Sequence, residues 1–243
     1  MNVIEGKNGF RIRGCKRNVA LRTHDLIRLK SVGDLQSTAP LQDWVLHSLC
    51  VAPYVVVRRR QVGNHMVSVG IRGPRRDQRL EALLPLRHVS DVISPEFLVT
   101  REAWLVDQNL AKDCGLALRA ARRLFGRLHM RWGPIGSVGF HLASRWECIS
   151  PQSDLDIVLR VPESITRIEA ESILSQLDSS PLRLDIQAET SYGAFSLREF
   201  AESPSGVLIR SQSGACIVDD PWHPGSRCAD EEVFQAYNRG VLS

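Results

Sequence analysis

Two apolar segments separated by one helix-length stretch place the strongest constraint on how this chain can fold. The first segment runs from Leu155 to Val161, and the second begins at Leu184. Between them, Thr166-Arg167-Ile168-Glu169 matches a capping box, and apolar residues then recur at helical spacing. A strand, a crossover helix and another strand place the two strands side by side in one sheet. The pattern therefore predicts a β-α-β unit in the C-terminal half.

Acidic residues lie on the polar side of both predicted strands. Alternate residues of a strand face the same side, so Asp154 and Asp156 share one face, and Asp185 takes the polar face of the second strand. Carboxylates this close repel one another unless a cation lies among them. Mg²⁺ prefers oxygen ligands, usually one or two carboxylates plus phosphates and waters. We therefore predict that Asp154 and Asp156 bind Mg²⁺, with a second ion able to hold the other oxygen of an in-line displacement at phosphorus.

A Gly-Ser turn at Gly136-Ser137 precedes the acidic strands. A glycine turn that opens a helix presents free backbone N–H groups, which favour phosphate oxygens, and the Ser137 hydroxyl could donate another hydrogen bond. Ser137 is not predicted to be a nucleophile, because no adjacent His or Lys would activate it. Each motif alone is also typical of a solvated strand end or an ordinary turn. The ordered set of turn, acidic strand, helix and acidic strand indicates a magnesium-dependent enzyme acting on a polyphosphate.

The N-terminal half predicts a small module with a β-hairpin. Residues 23–29 suit a short strand, and residues 41–50 show helical spacing. Two strand-like runs, 54–60 and 65–72, are joined around Gly63-Asn64, which is a hairpin signal. Residues 80–93 are predicted to form a helix. Arginines gather around the hairpin and its exit loop, namely Arg58, Arg59, Arg60, Arg72, Arg75, Arg76 and Arg79. They could clamp phosphates, dock an acidic protein, or discourage sheet-to-sheet pairing.

The remaining segments complete an α+β fold. Residues 104–128 are helical in pattern, with a predicted interruption at 113–115, and residues 196–202 suit a short helix. A last hairpin spans 206–218, where Arg210 would be able to face a phosphate. The closing helix is predicted at 230–238. We expect a basic, mobile start (1–20), an N-terminal module that binds carrier or donor (21–95) and a catalytic domain with a mixed sheet flanked by helices (96–243).

Composition excludes several other classes of protein. The six cysteines contain no C-x-x-C pair, no signal sequence is present and no run is long enough for a membrane helix, so we predict a cytoplasmic protein with reduced thiols. The net charge of +4 rests largely on arginine, which suits bidentate phosphate contacts. Aromatic residues are only 6% and are not interleaved with basic runs. This argues against a module that stacks single-stranded nucleic acid.

Gly-Ser, Asp-x-Asp and a third Asp on a later strand resemble the nucleotidyltransferase superfamily of the DNA polymerase beta type. A narrower resemblance covers nearly the whole chain beyond residue 20. It is carried by His24-Asp25-Leu26, Pro53 to Arg59, Val69-Gly70-Ile71-Arg72, Trp132 to Ser137, Ser153 to Asp156, Leu184-Asp185 and Leu197 to Phe200. These segments are similar to the malonate decarboxylase holo-acyl-carrier-protein synthases, which are phosphoribosyl-dephospho-CoA transferases.

That resemblance implies a donor, an acceptor and a site. The donor is 2'-(5''-triphosphoribosyl)-3'-dephospho-CoA, the acceptor is a serine of the apo acyl carrier subunit of malonate decarboxylase, and pyrophosphate leaves. By the same resemblance Asp154 and Asp156 hold Mg²⁺ on the triphosphate, Gly136 and Ser137 form the phosphate-side turn, and Asp185 is a second-metal ligand or the base. The alternatives are an enzyme that moves a nucleotide from an ordinary triphosphate to a small molecule or RNA, and a non-catalytic Arg-rich binding module.

Overall fold

The computed structural model describes residues 3–6, 9–12, 21–38, 40–60, 62–63, 65–75, 77–100, 110–150 and 153–225. It confirms the α+β class, with helices set against two main sheets. The chain divides into two compact units, which consist of Met1–Ala111 with Gly133–Ser153 and of Lys112–Trp132 with Asp154–Ser243. The division at residues 20 and 95 expected from the sequence stays a prediction.

The chain begins with a small antiparallel sheet of two strands, β1 (Val3–Gly6) and β2 (Gly9–Ile12). Four of the basic residues expected in a mobile start, Lys7, Arg13, Lys16 and Arg17, lie outside the described residues.

The first unit contains an antiparallel sheet of five strands in the order β6-β5-β4-β3-β7. Its elements in chain order are β3 (Leu26–Arg28), α1 (Asp43–Val51), β4 (Tyr54–Val57), β5 (Met66–Arg72), β6 (Arg79–Pro85), β7 (Asp91–Ile93) and α2 (Pro95–Thr100), with short 3-10 turns at Val32–Asp34 and Leu86–His88. The first strand, the first helix and the pairing of β4 with β5 are as the sequence predicts. Asn64 of the predicted turn lies outside the described residues.

The helix predicted over residues 80–93 is wrong. The segment forms β6, which pairs with β5 from Met66↔Pro85 to Arg72↔Arg79, and then β7. Leu80, Leu83 and Leu84 recur at the spacing of a helix face. Strand pairing decides the outcome, because it satisfies the backbone groups along the whole length of β5 and puts Leu84 into the core.

One face of this sheet and one side of α1 form the core of the first unit. Val55, Val69 and Leu84 of the sheet are fully buried, and α1 contributes Val45 and Leu49. Burying one large aliphatic side chain contributes about 1.5–3 kcal/mol. The opposite face carries the polar side chains of Ser68 and Glu81 together with buried apolar residues such as Leu26 and Tyr54.

The second sheet has six strands in the order β13-β12-β11-β10-β9-β8. The elements in chain order are α3 (Lys112–Arg127), β8 (Arg131–Pro134), α4 (Gly136–Ser144), β9 (Leu155–Arg160), α5 (Arg167–Ser175), β10 (Leu184–Glu189), β11 (Ala194–Ser196), α6 (Leu197–Glu202), β12 (Val207–Arg210) and β13 (Ala215–Val218). Strands β9 and β10 are parallel, and the pairings from β10 to β13 are antiparallel. Helix α4 and residues 133–153 belong to the first unit.

The β9-α5-β10 unit forms as predicted. The Thr166 side chain accepts a hydrogen bond from the Glu169 backbone N–H at 3.1 Å, and the Glu169 carboxylate accepts one from the Thr166 N–H at 2.7 Å. The hydrogen bonds that the Glu169 carboxylate accepts from the backbone N–H and the hydroxyl of Thr166 lower the pKa of Glu169. Ala170, Ile173 and Leu174 are buried on the inner side of the helix. The capping box thus fixes where the crossover begins.

Helix α3 begins at Lys112, and residues 110–111 just before it are not helical, so the interruption predicted at 113–115 is displaced by a few residues toward the N-terminus. Cys114 is fully buried there, and so are Leu118 and Phe125 farther along the same side. Burial of this face against the sheet places Gly115 in the first turn of the helix. Residues 101–109 and the predicted closing helix at 230–238 lie outside the described residues.

Two further observations concern the class of protein. Across the described ranges, no helix is both long enough and apolar enough to cross a membrane. The four cysteines within those ranges, Cys50, Cys114, Cys148 and Cys216, form no disulfide.

Candidate functional site

Two carboxylates lie directly opposite each other at the centre of the second sheet. Strands β9 and β10 are parallel neighbours, and their register places Asp185 beside Asp156. Neighbouring strands are about 4.8 Å apart, and like charges placed directly opposite each other destabilise a sheet. We call Asp156 and Asp185 the acidic pair. Its arrangement favours a bound cation.

Burial separates the two faces of these strands as the alternation predicts. Leu155 and Ile157 of β9 and Leu184 and Ile186 of β10 are buried. On the other face Asp156 is half-buried, while Asp185 is exposed; Asp154, just before β9, is also exposed. Within the described part of the chain, neither Asp154 nor Asp185 makes a hydrogen bond or an ion pair. Their oxygens are available to solvent and to an ion.

The donor set fits magnesium that arrives with a phosphate. Among the described residues, no group of three or more His, Cys, Asp or Glu side chains is arranged to hold a metal ion. Mg²⁺ is commonly held by one or two carboxylates, with substrate phosphates and waters as its other ligands. The carboxylates of Asp154 and Asp156 match that requirement, and they do not form an all-protein cage.

The same face of the sheet carries a neutralised pair farther along. Glu189 lies opposite Arg160 in the register of β9 and β10, and their side chains form an ion pair. Both side chains are largely buried, with 9% exposure for Arg160 and 13% for Glu189. Such a pair orders the sheet internally, because each charge already has its opposite.

The register does not bring Arg210 to the acidic pair. Arg210 lies opposite Ala194 of β11, and Ala194 lies opposite Glu189 of β10. It therefore belongs to the row of Glu189, four residues along β10 from Asp185, which is about 13 Å at roughly 3.3 Å per residue. This register alone does not test the predicted phosphate contact of Arg210, which stays a prediction.

The Gly136-Ser137 turn opens α4 in the first unit. Gly136 has φ +60°, a conformation that glycine adopts without strain. The residue before it, Ile135, offers no side-chain acceptor to cap the helix. The first backbone N–H groups of α4 thus lack the cap that Ser, Thr or Asp would supply. A phosphate oxygen is a suitable acceptor for them.

The start of α4 is held by close backbone packing. A Cβ atom added at Gly133 would lie 2.1 Å from the carbonyl of Pro95, the first residue of α2. One added at Gly139 would lie 2.5 Å from the Pro134 carbonyl oxygen. The sequence shows these glycines beside the Gly-Ser turn, but it gives no sign of what they contact. Both positions require glycine because of the backbone against them.

The arginines around the predicted hairpin are divided between different contacts. Arg58 and Arg60 form ion pairs with Glu81, at 3.5 and 3.0 Å. Arg75 forms an exposed pair with Asp77 at 3.1 Å. Arg76 lies outside the described residues. The cluster is therefore not one uniform surface of unpaired charge.

Two family models match the chain, one after the other. The model described as the phosphoribosyl-dephospho-CoA transferase MdcG N-terminal domain matches residues 22–95. The model described as the C-terminal domain of the same transferase matches residues 104–221. The second match includes Asp154, Asp156, Asp185 and Glu189.

Curated relatives match over most of their length. A phosphoribosyl-dephospho-CoA transferase of Pseudomonas fluorescens (strain Pf0-1) is 37% identical over 85% of this chain and 97% of its own. One from Pseudomonas putida is 38% identical over 84% and 96%, and one from Azotobacter vinelandii is 35% identical over 82% and 93%. No solved structure matches the chain significantly.

Proposed function

The chain belongs to the phosphoribosyl-dephospho-CoA transferase MdcG family, and we propose that it transfers a phosphoribosyl-dephospho-CoA group to a carrier protein. The donor is 2'-(5''-triphosphoribosyl)-3'-dephospho-CoA. The acceptor is a serine hydroxyl on the apo acyl carrier subunit of malonate decarboxylase, and pyrophosphate is released. The observation that carries this proposal is the register of β9 and β10, which sets Asp185 opposite Asp156 with Asp154 at the start of the strand.

The reaction is an in-line displacement at the α phosphorus of the donor. The serine oxygen forms a new bond to that phosphorus, while the bond from phosphorus to the oxygen bridging the α and β phosphates breaks. Pyrophosphate leaves with that oxygen, and the serine proton passes to a base. The carrier retains a phosphodiester-linked prosthetic group. Catalysis of such a step rests mainly on positioning and on stabilising charge at the phosphoryl oxygens.

Asp154 and Asp156 are the proposed magnesium ligands. When bound, Mg²⁺ would neutralise charge on the triphosphate. The two carboxylates would hold and orient the ion, and the buried residues on either side of Asp156 fix the position of that side chain. We assign this role to Asp154 and Asp156 because side chains alternate along β9, and Leu155 and Ile157 take the opposite, buried face.

Asp185 has two proposed roles, as ligand of a second metal ion or as the base that accepts the serine proton. The two differ in pH dependence. A base gives a transfer rate that rises with pH through its own ionisation, while a ligand can be partly compensated by more Mg²⁺. Measuring the Asp185→Asn variant across pH and across Mg²⁺ concentration separates them.

Gly136 and Ser137 are the proposed phosphate contacts of the first unit. The uncapped N–H groups at the start of α4 would donate to phosphate oxygens, as would the Ser137 hydroxyl. Ser137→Ala should leave the backbone donors and remove one hydrogen bond. We expect a loss in kcat/KM of about tenfold for a bond to a charged group, measured against the wild-type chain.

The direct test is to incubate the chain with apo carrier subunit, donor and Mg²⁺, and to measure the mass of the carrier. The proposal predicts that the mass of the carrier increases by one prosthetic group. When EDTA replaces Mg²⁺, the mass of the carrier should stay that of the apo form. An unmodified carrier under conditions where the donor is intact would refute it. Thermal protection by ATP with Mg²⁺ that exceeds protection by the donor would instead favour transfer from an ordinary nucleoside triphosphate.

A further inference from the structure

The first unit contains two positive charges that lie opposite each other, as the two negative charges of the acidic pair do in the second unit. Strands β5 and β6 are antiparallel, and at one end of their register Arg72 lies directly opposite Arg79. We call these residues the basic pair. Two guanidinium groups in this position repel each other, as do like charges placed opposite each other in any sheet.

The carboxylate of Glu81, on the same face of β6, is already neutralised. Glu81 lies two residues from Arg79 and therefore shares its face of β6. It accepts a hydrogen bond from the Ser68 hydroxyl at 2.9 Å and forms ion pairs with Arg58 and Arg60. Burial acts to raise the pKa of Glu81, but the Ser68 hydroxyl and the two guanidinium groups bring it below its usual value. The charge of Glu81 is therefore paired with Arg58 and Arg60.

Arg72 is left without an acceptor. Its Nε atom is buried and has no hydrogen-bond partner. Among the described residues, the side chain of Arg72 makes no hydrogen bond or ion pair with any of its neighbours. A buried donor of a charged group is unfavourable when unsatisfied, and most such groups in proteins are paired. An anion bound at this point would supply the missing acceptor.

Cys148 places the basic pair close to the start of α4. The Cys148 thiol donates to the backbone carbonyl of Ser137 at 3.3 Å. Burial raises the pKa of that thiol, while the positive charges of Arg72 and Arg79 act in the opposite direction. Cys148 therefore lies near both guanidinium groups and touches the residue proposed to contact phosphate. All of these residues belong to the first unit.

We propose that Arg72 and Arg79 bind the pyrophosphate end of the donor's triphosphate. This assignment rests on the proposed function, and it names the residues that hold the leaving group. A guanidinium group matches two phosphate oxygens at once, and two arginines opposite each other on neighbouring strands can meet two adjacent phosphates. The Arg79 guanidinium also donates to the backbone carbonyls of Arg75 and Gln78. The charge that develops on the pyrophosphate as its bond to the α phosphorus breaks would be stabilised there.

The test uses the full chain and inorganic pyrophosphate, with binding measured by titration calorimetry. Arg72→Gln should weaken binding by about 10- to 100-fold, the loss expected for a hydrogen bond to a charged group. Arg87→Gln is the matched control, because Arg87 is an exposed arginine of the same unit just beyond β6, and it should stay within about twofold of the wild type. Equal affinities for Arg72→Gln and the wild type would overturn the assignment.

A second titration separates the two polyphosphate groups of the donor. Dephospho-CoA contains the internal diphosphate but not the triphosphate. The proposal predicts that Arg72→Gln leaves its affinity unchanged. A loss for dephospho-CoA with none for pyrophosphate would move the basic pair to the other end of the donor and overturn the assignment.

Two further variants guard against misfolding and adventitious binding. Arg72→Lys keeps the charge but loses the two-pronged donor, so its affinity should lie between those of the wild type and Arg72→Gln. Pyrophosphate binding that persists in the Arg72→Gln/Arg79→Gln double variant would show an adventitious ion only. If the wild type modifies the carrier but pyrophosphate binding does not depend on Arg72, this inference is wrong and the proposed function stands. Absence of transfer, with the pyrophosphate result intact, would sink the proposed function instead.

Discussion

The acidic pair of the second unit and the basic pair of the first unit obey the same rule with opposite charges. Each places two like charges opposite each other on neighbouring strands, parallel in β9 and β10 and antiparallel in β5 and β6. In each pair one member, Asp185 or Arg72, makes no ion pair within the described residues.

Both sheets also contain a row in which opposite charges are paired. In the second sheet Arg160 and Glu189 form a buried ion pair, and in the first Glu81 is held by two arginines and a serine. These rows stabilise the protein by themselves. The difference indicates that a ligand site is marked by like charges placed opposite each other on neighbouring strands, and four predictions test it.

The largest effect should follow from changes at the proposed metal ligands. Asp154→Asn or Asp156→Asn should reduce transfer by about a thousandfold or more, since metal stabilisation of phosphoryl charge is worth several kcal/mol. The fold should remain intact, as both residues lie on the polar face. Carrier mass and a urea unfolding curve measure the two properties. Asp178→Asn, an exposed aspartate of the same unit, should behave as the wild type; near-normal transfer by either ligand variant would defeat the assignment.

A change in the neutralised row, Arg160 and Glu189, should lower stability and leave transfer activity in place. Glu189→Ala leaves the largely buried Arg160 without its ion-pair partner, and breaking such a pair costs about 3–5 kcal/mol. The free energy of unfolding in urea should fall by that amount. Transfer by the fraction that remains folded should persist. A Glu189→Ala protein of normal stability but without transfer activity would show that the row of Arg160 and Glu189 does not differ in role from the acidic pair.

Relief of repulsion in the acidic pair should raise stability slightly. In the absence of Mg²⁺, Asp185→Asn removes one of two like charges and should stabilise the protein by about 0.2–1 kcal/mol. Added Mg²⁺ should raise the melting temperature of the wild type more than that of the variant. Asp219→Asn offers a second exposed aspartate for comparison. A destabilised Asp185→Asn protein would indicate that the carboxylate has a structural partner instead.

The smallest effect concerns Glu81 and pH. Because its folded-state pKa lies below the ordinary value of 4.5, its contribution to stability is present above about pH 4.5 and is lost as the pH falls through the folded-state pKa. Glu81→Gln should flatten this part of the stability curve by about 0.2–1 kcal/mol. Urea midpoints measured from pH 3 to 6 test it. The same variant should bind pyrophosphate slightly more tightly, since it releases Arg58 and Arg60.

Sequence patterns predict the acidic pair because its two strands and their crossover carry local signals. Alternation sets the faces, and the capping box at Thr166 begins the helix that forces β10 beside β9. The basic pair has no such signal. The helix-like spacing around Leu83 conceals β6, and the partner of a strand is fixed by distant residues, not by its own composition. Arg72 and Arg79 are therefore visible in the sequence as members of a cluster, but not as neighbours.

The crossover that brings β10 alongside β9 has a consequence for how the protein comes into being. Asp156 and Asp185 become neighbours only after α5 has docked, so their meeting depends on closing a long loop of chain. During synthesis a ribosome must release β10 before the two residues can share an ion. At the proposed site, Mg²⁺ would stabilise the finished sheet but would not nucleate its formation.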